Sequence, residues 1–83
     1  MGNRDFGSAS GATKNTQSQW VTVLPDGLKV VYTKVQRPTG FVYRCRCIIG
    51  EMIKETNWET NEDLSQEQVE LLPQFIDFLA GIV

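Results

Sequence analysis

The longest regular pattern in the chain runs from Phe41 to Ile49. Phe41, Tyr43, Cys45, Cys47 and Ile49 alternate with Val42, Arg44, Arg46 and Ile48. A period of two predicts an extended strand with one apolar side and one basic side. Aromatic and β-branched residues suit such a pleated surface. Two shorter extended runs precede it, about 20–24 and 28–36, separated by Pro25-Asp26-Gly27. Arg37-Pro38-Thr39-Gly40 then repeats the same turn chemistry ahead of the third run, about 41–49. Read as three-residue loops, each a type I turn closed by a glycine bulge, these turns set a register. Leu24 then opposes Leu28 and Val21 opposes Val31, while Val35, Thr33 and Val31 oppose Tyr43, Cys45 and Cys47. One face collects Val21, Val23, Val31, Thr33 and Val35 with Phe41, Tyr43, Cys45, Cys47 and Ile49. The other collects Trp20, Thr22, Leu24, Leu28, Val30, Tyr32 and Lys34 with Val42, Arg44, Arg46 and Ile48.

The pattern weakens in residues 51–63, where the adjacent Met52 and Ile53 fit neither period. The preferred reading is an acidic loop anchored by Met52, Ile53 and Trp58. The alternative is a short fourth strand, started by a hairpin at Gly50-Glu51. Ser65-Gln66-Glu67-Gln68 then has the form of a capping box, with Leu64 placed as a staple against Val69. Val69, Leu72, Phe75, Ile76 and Leu79 form one helical stripe, widened by Leu71, Phe78 and Ile82. This predicts a helix over about 65–80. Pro73 should kink it or start a second piece as its first residue, and Gly81 marks an end. Residues 1–19 are rich in Gly, Ser, Thr, Asn and Gln, with Phe6 their only large apolar side chain, and read as a disordered tail. The expected fold is α+β: a three-stranded antiparallel meander, residues 20–83 forming one small domain, with the C-terminal helix packed on one face.

Composition narrows the chemistry. At 83 residues the core is small, since such a domain buries only about 60% of its unfolded surface. With no histidine and two cysteines the chain lacks a four-ligand N/S zinc set, so no metal and no cofactor is expected. Cys45 and Cys47 are same-side neighbours on one strand, about 6.5 Å apart, which is a stretch for a disulfide. Free thiols suit a reducing compartment. With no apolar leader in residues 1–19 and no apolar run of membrane-spanning length, the expected location is cytoplasmic. Met1-Gly2-Asn3-Arg4-Asp5-Phe6 opens like a myristoylation site but has Phe6 where Ser or Thr is wanted.

Charge divides the chain. Residues 1–50 carry Arg4, Lys14, Lys29, Lys34, Arg37, Arg44 and Arg46 against Asp5 and Asp26, a balance of +5. Residues 51–83 carry Lys54 against Glu51, Glu55, Glu59, Glu62, Asp63, Glu67, Glu70 and Asp77, a balance of −7. The predicted register places Trp20, Tyr32, Lys34, Arg44 and Arg46 together as a basic-aromatic face, with Lys34 opposite Arg44. Like charges directly opposite each other destabilise a sheet, so something should neutralise them. Three candidates are an acidic patch on another protein, the phosphates of single-stranded nucleic acid with Trp20 and Tyr32 as stacking platforms, or Glu51, Glu55, Glu59 and Trp58 folding back over the face. The acidic helix and a sequence pI near 4.9 count against a simple nucleic-acid binder.

No pattern points to an enzyme. Arg44 and Arg46 could activate the neighbouring thiols, but both sulfurs point to the predicted core. The acidic run from Glu51 to Glu70 has no histidine, nucleophile or phosphate loop beside it, and Asn57 to Asp63 lacks the central glycine of a calcium loop. The apolar C-terminal stripe exceeds what a three-stranded sheet needs, which makes Phe75, Phe78 and Ile82 candidates for contact with a second copy or a partner. The expected function is a non-enzymatic protein–protein interaction module: an accessory, regulatory or inhibitor subunit, a profile that suits a small phage or viral accessory protein. The alternative is single-stranded nucleic-acid binding through the same sheet face.

Overall fold

The computed structural model describes residues 16–82. Four strands form one antiparallel sheet in the order β1-β2-β3-β4, and two short helices follow. The strands are β1 (Thr16–Val23), β2 (Lys29–Arg37), β3 (Gly40–Ile49) and β4 (Met52–Thr60), and the helices are α1 (Gln66–Glu70) and α2 (Pro73–Ala80). This is the expected α+β meander with a fourth strand present. The expected disordered tail falls mostly on residues 1–15, outside the described ones. Thr16–Gln19 belong to β1, which starts four residues earlier than the sequence pattern suggests.

The first hairpin forms as its sequence dictates. The Gly27 N–H donates to the Leu24 carbonyl at 2.8 Å, the Leu24 N–H donates to the Leu28 carbonyl at 2.9 Å, and the Leu28 N–H donates to Asp26 Oδ1 at 3.1 Å. Trp20 lies opposite Tyr32 and Val21 opposite Val31.

The second hairpin differs from expectation, and the difference rearranges the sheet. Arg37 pairs with Gly40, so the loop is the two residues Pro38-Thr39 rather than three. Gly40 forms no bulge. It has φ +147°, and a Cβ there would lie 2.8 Å from the Thr60 carbonyl oxygen and 2.9 Å from Asn61 Oδ1. Its missing side chain admits the end of β4 at close range. As a result every β3 residue meets β2 one position away from the expected partner: Cys45 opposes Tyr32, Tyr43 opposes Lys34 and Cys47 opposes Val30. A one-residue slip exchanges the faces. Phe41, Tyr43, Cys45 and Cys47 therefore share a face with Trp20, Thr22, Val30, Tyr32 and Lys34, while Val21, Val23, Val31 and Val35 lie on the opposite face.

β4 overturns the preferred loop reading of residues 51–63. Gly50, at φ +60°, opens a two-residue Gly50-Glu51 turn, as the mirror-image hairpin turns require. Ile49 pairs with Met52 and Phe41 with Thr60. Met52 and Ile53 break the sequence period because both are exposed at the turn end of the hairpin, one on each face.

Both helices cover the face that holds the cysteines. The capping box is complete: Ser65 Oγ accepts from the Gln68 N–H and Gln68 Oε1 accepts from the Ser65 N–H. The helix splits at Pro73, which starts α2, as the sequence leads one to expect. Between the layers, Val30, Tyr32, Tyr43, Cys45, Cys47, Val69, Phe75 and Leu79 form the buried cluster. At about 1.5–3 kcal/mol per large apolar side chain this is the main stabilising contribution. Tyr43 ties the chain across the layers: its hydroxyl donates to the Glu62 carbonyl and accepts from the Leu64 N–H, both at 2.7 Å.

Candidate functional site on the open sheet face

The one-residue change in register separates the residues expected to form one basic-aromatic surface. Trp20, Tyr32 and Lys34 lie beneath the helices, and Arg44 and Arg46 lie on the face the helices leave open. Trp20 is half-buried; its indole N–H donates to Glu70 Oε2 at 2.8 Å and its ring stacks on Tyr32 at 5.6 Å. Tyr32 is only 3% exposed and meets Phe75 at 6.3 Å. Burial, followed by the nearby Cys45, pushes its phenol up to about 12. Lys34 runs its stem past the Phe41 ring, with Nζ 5.2 Å from the centroid. It ends on the Leu64 carbonyl at 2.7 Å and on the Asp63 carboxylate. Lys34 lies opposite Tyr43 rather than Arg44, so the expected clash of like charges does not exist.

Burial also pushes the Cys45 thiol up to about 12, with the neighbouring Cys47 as the next cause. The Cys47 thiol is raised by burial as well, with Lys54 acting in the opposite direction. Both thiols are free and enclosed. Phase by phase along the C-terminal segment, Phe75 is fully buried and belongs to the core rather than to an outer contact, and Phe78 and Ile82 pack half-buried against it. The exposed large apolar residues of the helical segment are Leu71 and Ile76.

The open face is built from alternate residues of all four strands. One cross-strand row reads Val21, Val31, Arg46, Glu55, and the next toward the Gly50 turn reads Val23, Lys29, Ile48, Ile53. Toward the Pro38 turn come Gln19, Thr33, Arg44, Asn57 and then Gln17, Val35, Val42, Glu59. Glu55 lies between the two arginines: its Oε1 is 3.3 Å from Arg46 Nε and 3.9 Å from Arg44 Nε, while Arg44 Nε also donates to Asn57 Oδ1 at 3.1 Å. Glu51, Glu55, Glu59 and Trp58 do not fold back over the face as a covering segment: Glu55 and Glu59 share it from the neighbouring edge strand, and Trp58 lies on the helix side against Tyr43. One carboxylate against two guanidiniums leaves a positive excess. Across the face Lys29, Arg37, Arg44 and Arg46 stand against Glu55 and Glu59, a balance of +2.

Aliphatic side chains concentrate at the other end of this face. Val21 is 55% exposed, Val23 62%, Ile48 50% and Ile53 63%. The surface continues over the Gly50 turn through Ile49 and Met52 into a shallow groove lined by Leu28, Ile48, Ile49 and Ile82. A three-residue second turn would put Val21 and Val23 in the core, and this surface would not exist. Reading Pro38-Thr39 as a two-residue loop predicts it.

Among the described residues no three His, Cys, Asp or Glu side chains gather as a metal-binding group, and no helix is long and apolar enough to cross a membrane. Comparison with models of known protein families, with characterised proteins and with solved structures returned no match.

Proposed function

We propose that this chain is a non-enzymatic protein-binding module, an accessory, regulatory or inhibitor subunit, and that the uncovered sheet face is its docking surface. The observation that carries this reading is the exposed row Val23, Ile48 and Ile53 with Val21 beside it, on a face with an excess of two positive charges. Exposed aliphatic side chains grouped on one face mark an interaction surface. The charge beside them fits a partner whose contact patch is apolar at its centre and acidic at its rim. The basic-aromatic surface expected from the sequence is thereby reduced to Arg44 and Arg46, joined by aliphatic neighbours. Single-stranded nucleic acid loses its stacking platform, because Tyr32 is buried and Trp20 is held by Glu70.

The test is capture from a host lysate, identification of the captured protein and reconstitution from purified components. Val23→Ser with Ile53→Ser should weaken the reconstituted complex by at least about tenfold, as loss of central apolar anchors does. Ile76→Ser, on the helical side, should leave it unchanged. A complex insensitive to the open-face pair, or tight binding of a labelled single-stranded oligonucleotide at low salt, would overturn the proposal.

A further inference from the structure

The sheet has two edges, and they are protected differently. β4 carries Lys54, Glu55 and Glu59, the charged side chains that discourage another strand from pairing. β1, with sequence Thr-Gln-Ser-Gln-Trp-Val-Thr-Val, carries no charge and no proline over eight residues. The other three strands carry two or three charges each.

The first hairpin determines which β1 backbone groups are unpaired among the described residues. Leu24 exchanges its hydrogen bonds with the β2 side of the turn. Alternation along an antiparallel ladder then turns Thr22, Trp20, Ser18 and Thr16 toward β2, and Val23, Val21, Gln19 and Gln17 away from it. Each of those four outward residues presents an N–H and a C=O at the edge of the sheet.

We propose that this edge pairs with the same edge of a second copy, antiparallel about a twofold axis at Trp20, to give one continuous sheet of eight strands. Around such an axis Gln19 opposes the partner's Val21 and Gln17 opposes the partner's Val23. All four outward residues of each copy then exchange paired hydrogen bonds, eight in total. A strand that pairs with itself sets its own side chains side by side, so any charge it carries meets a like charge close by. Neutrality along all of β1 removes that penalty, whereas a strand built for a different protein needs no such neutrality. Trp20 falls opposite the partner's Trp20 in a row that is not hydrogen-bonded, where side chains approach closely. Its ring is already fixed by Tyr32 and Glu70, so little side-chain freedom is lost on pairing. The open face would continue across both copies, so the dimer would display two docking surfaces. The dimer does not depend on the docking proposal, because a monomer could bind a partner and a dimer could bind none.

Light scattering on the full chain should give a mass of twice 9.4 kDa. Gln19→Pro removes an outward donor and leaves the β1–β2 ladder intact, and Gln19→Lys puts two like charges beside the axis. Both should return 9.4 kDa with an unchanged sheet signal in circular dichroism. As a separate check on register, Ser18→Cys with Thr22→Cys should give a disulfide-linked dimer on mild oxidation, since Ser18 opposes the partner's Thr22 in a row of close Cα approach. A monomeric native chain, a dimer unmoved by both Gln19 substitutions, or an oxidised double-cysteine chain that stays monomeric would overturn the proposal.

Discussion

Tyr43→Phe tests how the helices are held to the sheet. The Tyr43 side chain is fully buried on β3, and its hydroxyl reaches the linker between β4 and α1. Removing that oxygen leaves the ring packed against Phe41 and Trp58, at 6.2 and 6.3 Å, so no cavity larger than the oxygen itself is created. The loss is two hydrogen bonds, one donated to Glu62 and one accepted from Leu64. At about 0.5–1.5 kcal/mol each, the substitution should cost about 1–3 kcal/mol. Leu64 is half-buried, so water reaches its N–H only in part and the cost should stay well above zero. Urea unfolding followed by Trp fluorescence measures it directly, with an unchanged m-value confirming that the same surface is exposed on unfolding. In a domain of this size the melting temperature should fall by at least about 4 °C. A change below about 0.5 kcal/mol at constant m would refute the claim that this hydroxyl pins the helical segment.

Three further outcomes follow from the same geometry. Gly40→Ala should destabilise the fold more than Gly27→Ala: both glycines have positive φ, but a Cβ at Gly40 meets the Thr60 carbonyl at 2.8 Å while one at Gly27 meets nothing within 4 Å. The backbone conformation alone costs about 1–3 kcal/mol, and thermal melts of the two variants should rank them in that order. Stability should hold up to pH 9.0, the ordinary thiol value, and fall between there and about 12, because folded Cys45 and Tyr32 keep protons that the unfolded chain releases. Each group contributes a slope of up to about 1.4 kcal/mol per pH unit over its own window, and a melting temperature flat to pH 11 would contradict their burial. Cys45 and Cys47 should resist a thiol-disulfide probe in the folded state and react once the chain unfolds in urea; rapid reaction of the native protein would show that the core is open.

Local signals in this sequence are legible where one short segment decides the outcome. The capping box at Ser65, the break at Pro73, the Pro25-Asp26-Gly27 hairpin and the alternation from Phe41 to Ile49 all form as their residues require. The reading failed where the outcome depends on a distant segment. Gly40 reads as a bulge glycine until β4 is present, and only then does the close approach of Thr60 show what the glycine serves. β4 itself is an edge strand whose open-face positions are Ile53, Glu55, Asn57 and Glu59, so it carries too little burial for a clean period. Valines occupy both faces of β2, and β1 sets Trp20 on one face against Val21 and Val23 on the other, so hydrophobicity alone does not choose between the two registers; Val21 and Val30 look alike in sequence, yet one is exposed and the other fully buried. The candidate site inherited that error, and Arg44 and Arg46 stayed on the open side only because they belong to the strand whose alternation was unambiguous.

The register between β2 and β3 is the central claim, because it decides which residues face the helices and which form the open surface. Hα–Hα nuclear Overhauser contacts measure it directly, since such protons come close only in the non-hydrogen-bonded pairs of an antiparallel ladder. With a Pro38-Thr39 loop, strong contacts join Tyr32 to Cys45 and Lys34 to Tyr43. Contacts joining Tyr32 to Arg46 and Lys34 to Arg44 would contradict it, returning Val21 and Val23 to the core and removing the docking face.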